Sequence, residues 1–178
     1  MTSPLVLGFA GTSGSGKTTL LTQLIRRLRA RRLRIGVIKH THHEFDIDHP
    51  GKDSYELRHA GAERIAIGSS RRWALVVERP LEAEPTLTEL LKIVQVETLD
   101  VILVEGFRHE AFVKIEVHRP SHGRALLASA DDSIIAIATD APIAEAPTLP
   151  RLDLNDIAAI ESFVLALIAN PPPMRVRG

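Results

Sequence analysis

Leu5-Val6-Leu7-Gly8-Phe9-Ala10-Gly11-Thr12-Ser13-Gly14-Ser15-Gly16-Lys17-Thr18-Thr19 is the stretch on which the fold turns. Its first six residues form a nearly unbroken apolar run, which suits a strand buried on both faces of a parallel sheet better than an alternating, half-solvated one. Gly11 to Thr18 then match G-x-x-x-x-G-K-S/T. From Lys17 the apolar residues Leu20, Leu21, Leu24, Ile25 and Leu28 recur at helical spacing. Strand, glycine-rich loop and helix in that order are the context a phosphate-binding loop requires. Glycines let backbone N–H groups turn inward around a polyphosphate, and the helix start adds unpaired donors and the positive end of its dipole. Lys17 is expected to reach the β- and γ-phosphates, Thr18 to offer its hydroxyl to Mg²⁺, and Thr19 to add a hydroxyl on the α-phosphate side. The expected nucleotide-binding set is therefore Gly11, Thr12, Ser13, Gly14, Ser15, Gly16, Lys17, Thr18 and Thr19.

Outward from this loop the chain keeps alternating. A second apolar run, Leu33 to Ile38, predicts a second strand. Lys39 to Lys52 is polar, His-rich and carries Pro50-Gly51, so it predicts a long loop, followed by a short helix from Asp53 to about His59 closed by Gly61. Arg64 to Ile67 and Trp73 to Glu78, separated by Gly68-Ser69-Ser70-Arg71-Arg72 and ended by Pro80, predict an antiparallel hairpin. Thr86 with Glu89 three residues later forms a capping box for a helix from Thr86 to Val96. Val101 to Val104 and Ile134 to Ala138 are expected as buried strands, and the alternating Val113 to Val117 as a half-exposed one. Pro142, Pro147 and Pro150 mark a loop, and a last helix runs from about Asn155 or Asp156 to Ala169 before Pro171 to Pro173. The expected fold is α/β: a three-layer P-loop NTPase fold with a mostly parallel sheet and an inserted antiparallel hairpin.

With 178 residues the chain suits one domain, expected as a P-loop nucleotide-binding domain over 1–170 with a C-terminal tail, 171–178. Hydrophobic residues at 44% and charged residues at 25% exclude a wholly disordered chain. Lys plus Arg and Asp plus Glu balance at 22 each, so no global basic field points to nucleic acid or an anionic membrane, and neither is expected as a partner. The absence of Cys excludes disulfides, thiolate metal sites and thiol nucleophiles. The N-terminus carries no basic leader, and no apolar run approaches the ~20 residues of a membrane span, so a cytoplasmic protein is expected.

A nucleotide site of this type needs a second acidic group for Mg²⁺, usually at the end of a neighbouring apolar strand. Val101-Ile102-Leu103-Val104-Glu105-Gly106 supplies Glu105, longer than the usual Asp and so suited to a water-mediated contact; Asp100 at the opposite end is expected to be structural. His40, His42, His43 and His49 crowd the polar loop with Asp46, Asp48, Lys52 and Asp53. A metal site, a plain solvated loop, and a cover for the nucleotide or a second anionic ligand are the three alternatives. For the last, Lys39, His40, Lys52 and Arg58 are the candidate cations, and Asp48 and Asp53, with Asp46, the candidate magnesium-organising carboxylates. The run Arg26, Arg27, Arg29, Arg31, Arg32 and Arg34 is expected as a solvated helix face, and Trp73, the only Trp, as either core or contact surface.

Taken together, the chain resembles the molybdopterin-guanine dinucleotide biosynthesis adaptor proteins, small P-loop proteins of molybdenum cofactor assembly. The resemblance rests on Gly11 to Thr18, Lys39-His40-Thr41-His42-His43, Pro50-Gly51-Lys52-Asp53-Ser54, Ala60-Gly61-Ala62, Val104-Glu105-Gly106-Phe107 and Ala138-Thr139-Asp140, in this order, and covers nearly the entire domain. It implies a GTP-binding homodimer that assists a separate guanylyltransferase, the enzyme joining GMP to molybdopterin, with molybdopterin as a candidate second ligand. The GTPase base-reading motif N-K-x-D is absent, since Asn155 and Asn170 are the only asparagines. Asp140, just beyond a buried strand, is the candidate acceptor for guanine N1 and N2; the alternative is an Asp that opens the turn before Pro142. Rival readings are a small-molecule kinase and a GTP-dependent metallochaperone. No residue can be assigned to orient an attacking water, so hydrolysis is expected to be slow at most.

Overall fold

Leu5–Ala10 is a strand, β1, and every one of its residues is buried because it lies inside a six-stranded sheet with neighbours on both sides. The computed structural model describes residues 3–41, 45–79, 84–94, 99–143 and 148–172. After β1 come α1 (Lys17–Ala30), β2 (Ile35–Lys39), α2 (Asp53–His59), β3 (Arg64–Gly68), β4 (Trp73–Val77), α3 (Leu87–Val94) and β5 (Val101–Glu105). The chain closes with β6 (Lys114–His118), β7 (Ile134–Thr139), β8 (Arg151–Asp153) and α4 (Ile157–Ala169). Contacts divide it into two compact units, residues 1–40 with 86–178, and residues 41–85.

The larger unit holds the sheet β2-β5-β1-β6-β7-β8, parallel at every pairing. Alternation along β1 divides the core: Leu5, Leu7 and Phe9 pack with Leu20, Leu24 and Leu28 of α1 and Ile160 and Val164 of α4. Val6 packs on the opposite side with Leu87 and Leu91 of α3, Ile102, Val104 and Phe112. Helices on both faces produce three layers, as expected of buried parallel strands. The Thr86–Glu89 capping box forms: the Thr86 amide donates to Glu89 Oε2 at 2.8 Å and the Glu89 amide to Thr86 Oγ1 at 3.2 Å. Asp156 caps α4 through the amides of Ala158 and Ala159. Among the described residues no helix is long and apolar enough to cross a membrane.

One expectation needs correction, and two features lie beyond what the sequence signals. The strand Val113 to Val117 was expected to be half exposed; β6 is instead buried throughout, because β1 and β7 flank it. Its charged positions are satisfied inside. Lys114, with no exposed surface, donates to the carbonyls of Arg108 and Glu110 and pairs with Asp131 at 2.8 Å. Glu116 accepts from the amides of Leu127 and Ala128, both at 2.8 Å. A buried charge with its hydrogen bonds complete is tolerated where an unpaired one is not. The arginine run is exposed as expected, with Arg27 half-buried, and two of its members make a clamp that the spacing does not signal. Arg27 and Arg31 clamp the buried Glu161 of α4 at 2.7 and 3.1 Å, and the hydrogen bond from Arg27 above all holds that carboxyl below its ordinary pKa. Finally, β8 is an edge strand of three residues, too short and too close to Pro150 to leave a periodic signal. Asp100 is structural as expected: it accepts from the backbone and guanidinium of Arg34.

The smaller unit contains α2 and the antiparallel ribbon β3–β4, in register from Arg64 opposite Val77 to Gly68 opposite Trp73. Trp73 is 76% exposed and is not core; Ile67, Leu75 and Val77 are exposed with it. Arg58 is tied to Asp46 and Glu78 at 2.5 and 3.0 Å. The expected positions Pro80, Val96 and Pro147, the histidines His42 and His43, and the tail beyond Pro172 lie outside the described residues.

Candidate nucleotide site

Parallel strands end together, so the C-terminal ends of β1, β2, β5, β6 and β7 deliver Ala10, Lys39, Glu105, His118 and Thr139 to one edge of the sheet. A ligand crevice at that edge is the rule for open α/β sheets. The loop from Gly11 to Gly16 leaves β1 there, and its shape depends on glycine. Gly11 has φ +151°, and a Cβ on it would stand 2.4 Å from the carbonyl oxygen of Val117. Among the described residues no side chain caps α1, and its first turn holds no acidic residue, so its leading N–H groups and the positive dipole end are available to an anion.

Lys17 lies across the loop, donating to the carbonyls of Gly11 and Thr12 at 2.9 and 2.8 Å. Burial lowers its pKa from the ordinary lysine value; Glu105 opposes that shift and Lys39 adds to it. The Thr18 hydroxyl donates to Glu105 Oε1 at 3.2 Å, with Oε2 at 3.4 Å. Residues 87 positions apart in sequence thus meet because β5 pairs with β1, placing Phe9 beside Glu105. A threonine hydroxyl and a carboxylate beside a phosphate-binding loop are hard oxygen donors suited to Mg²⁺. Thr12, Ser13, Gly14 and Thr19 lie on the accessible side of the loop and helix start, whereas Ser15 is buried and its hydroxyl has no hydrogen-bond partner.

Gly106 turns the chain after Glu105 at φ +104°, bringing its Cα close to His40. The His40 amide donates to the Glu105 carbonyl at 2.8 Å, and its ring stacks on Phe107 with centroids 4.5 Å apart. Lys39 Nζ stands 3.9 Å from Glu105 Oε2. Of the candidates for a second ligand, then, Lys39 and His40 adjoin Glu105 in the larger unit. Asp48, Lys52, Asp53 and Arg58 belong to the smaller one. There Asp48 accepts from the amide of His49, Lys52 immediately precedes α2, Asp53 begins it, and the Arg58 guanidinium is engaged by carboxylates. Among the described residues no three His, Asp or Glu side chains gather into a metal-ligating cluster.

Asp140 follows β7 directly and pairs with Arg119, which follows β6 directly. The two meet because His118 and Thr139 are register partners, so the next residue on each strand stands side by side. Arg119 also donates from Nε to the Ser15 carbonyl at 3.0 Å. Arg119 was not singled out from the sequence. Its only signal was its place one residue past a strand, and the identity of that strand's neighbour is a tertiary fact.

Residues 6–140 match a family model described as molybdopterin guanine dinucleotide synthesis protein B. The chain is 48% identical to the molybdopterin-guanine dinucleotide biosynthesis adapter protein of Escherichia coli over 161 residues, 90% of this chain and 91% of that one. It is 41% identical to the protein of the same description from Haemophilus influenzae, over 89% of this chain and 86% of that one. Its fold superposes on the crystal structure of Bacillus subtilis MobB with TM-score 0.73 at 25% identity, covering 91% of this chain and 96% of that one.

Proposed function

Since the chain belongs to the molybdopterin guanine dinucleotide synthesis protein B family, we propose that it is an adapter in molybdopterin-guanine dinucleotide biosynthesis. In this role it binds GTP and presents it to the guanylyltransferase that joins GMP to molybdopterin. The observation that carries the GTP-site reading is the convergence of Lys17, Thr18 and Glu105 on the uncapped start of α1. Gly11 to Gly16 would wrap the phosphates with backbone N–H groups, Lys17 would release the loop carbonyls to meet them, and Thr19 would add its hydroxyl. Thr18 and Glu105 would hold Mg²⁺, which when bound neutralises charge on the β- and γ-phosphates. Asp140 would accept from guanine N1 and N2.

Lys39 and His40, beside Glu105 in the larger unit, are the residues we propose for a second anionic ligand, with molybdopterin the first to test; Asp48, Lys52, Asp53 and Arg58 of the smaller unit stay candidates for such a ligand on their own unit. The protein acts in the cytoplasm as a homodimer, and the exposed apolar ribbon β3–β4 supports that state, since among the described residues no third strand pairs with its edges. Hydrolysis of GTP is slow at most.

The test is reconstitution of dinucleotide formation with the transferase at limiting GTP. Wild type should raise product yield, and Lys17→Ala should lose that gain, and tight GTP binding with it, without inhibiting the transferase. A Lys17→Ala protein that keeps the gain, or a wild type that phosphorylates a small substrate by itself, overturns this reading.

A further inference from the structure

Arg119 occupies a position that the adapter role does not account for. Its Nε donates to the carbonyl of Ser15 at 3.0 Å, and its Nη1 donates to Asp140 Oδ2. A Cβ on Gly16 would stand 3.4 Å from Nη2, and one on Gly14 would stand 3.8 Å from the ring of His122, so the segment after β6 runs along the loop. One guanidinium therefore bridges the loop that follows β1 and the residue that follows β7. Both acceptors lie at the same edge of the sheet, since β6 separates those two strands.

We infer that Arg119 is a positioning residue that ties Asp140 to the phosphate-binding loop, so that its carboxylate meets a guanine edge in fixed register with the phosphates of the same nucleotide. This rests on the reading of the site as a guanine-nucleotide site. A guanidinium is planar and its N–H directions are fixed in one fork, so occupying two of them sets the relative orientation of their two acceptors. An ammonium on a flexible stem holds a charge nearby but fixes no such angle. Arg119 takes Oδ2 of Asp140, leaving Oδ1 and a remaining lone pair of Oδ2 to accept from guanine N1–H and the N2 amino group. Adenine offers neither donor at that edge, and hypoxanthine offers N1–H alone.

The test is equilibrium binding of GTP, ITP and ATP to the full chain, for wild type, Arg119→Ala and Arg119→Lys. Each variant's fold is checked by thermal melting. Wild type should prefer GTP over ITP by roughly 10- to 100-fold, the worth of one hydrogen bond to a charged acceptor, and should disfavour ATP further. Arg119→Ala should bring the GTP/ITP ratio to about threefold or less, with GTP losing most, ITP less and ATP changing little, because the base edge is lost and the phosphate site is not. Arg119→Lys should retain the melting temperature of wild type but not its ratio. A purely structural or phosphate-directed arginine would lower all three nucleotides by one common factor. That result, in a protein that still discriminates as wild type, overturns the inference alone. A wild type that binds GTP, ITP and ATP alike overturns the guanine reading and this inference together.

Discussion

Replacing Gly106 by alanine tests whether the turn after Glu105 positions the carboxylate that we propose for Mg²⁺. The glycine has φ +104°, and an added Cβ would stand 2.7 Å from Cβ of His40 and 3.3 Å from its carbonyl oxygen. His40 cannot yield freely, because its amide is bonded to the Glu105 carbonyl at 2.8 Å and its ring is stacked on Phe107. An L-residue in so sparsely populated a conformation costs ~1–3 kcal/mol, and a forced contact inside packed structure costs a further ~1–3 kcal/mol. The sum, ~2–6 kcal/mol, corresponds to a fall in Tm of roughly 4–24 °C at ~2–4 °C per kcal/mol for a chain of this size. Gly123→Ala is the control: φ is +60° and nothing lies within 4 Å of the added Cβ, so only the backbone term of ~1–2 kcal/mol applies. Scanning calorimetry compares the melts, and Mg²⁺-dependent nucleotide binding reports whether Glu105 has moved. If Gly106→Ala melts with or above Gly123→Ala, the close approach of His40 does not constrain this turn.

The Arg27–Glu161–Arg31 clamp predicts a definite acid response. A carboxyl whose pKa is depressed on folding stabilises the protein above its unfolded value of ~4.3, and that stabilisation is lost as pH falls through the lower, folded value. Urea midpoints measured at pH 6 and pH 3 should therefore drop further for wild type than for Glu161→Gln; equal drops would remove the clamp from the stability of α1 on α4. For the β3–β4 ribbon, sedimentation should show a dimer that Trp73→Ala weakens, because a Trp side chain 76% exposed beside the exposed Ile67, Leu75 and Val77 offers a large apolar contact surface. A monomeric wild type would refute that assignment.

Strong local signals made much of this legible in advance. The apolar run Leu5 to Ala10, the glycine and lysine spacing of Gly11 to Lys17 and the 3.6-residue period after it define β1, the loop and α1, because each element's cause lies within the few residues that form it. The Thr86–Glu89 box and the Asp156 cap are local in the same sense. The position of Glu105 was legible because an acid ending an apolar strand is expected beside a loop of this type, and β5 does pair with β1.

What the sequence left open depended on which strands become neighbours. Alternating charges in Val113 to Val117 imply a solvated face only if the strand is at a surface. Pairing with both β1 and β7 put Lys114 and Glu116 inside, where Asp131 and the amides of Leu127 and Ala128 satisfy them. The arginines at the end of α1 are solvated as their pattern implies, but the partner that Arg27 and Arg31 share, Glu161, is set by the packing of α4. Arg119 and Asp140, 21 residues apart in sequence, became a pair only through the register of β6 on β7. Local propensity, capping and phosphate-loop spacing are properties of short segments and are written in the sequence by themselves. Burial of charge, ion pairing and the register between strands are properties of residues distant in sequence, and they exist only once the sheet has closed around them.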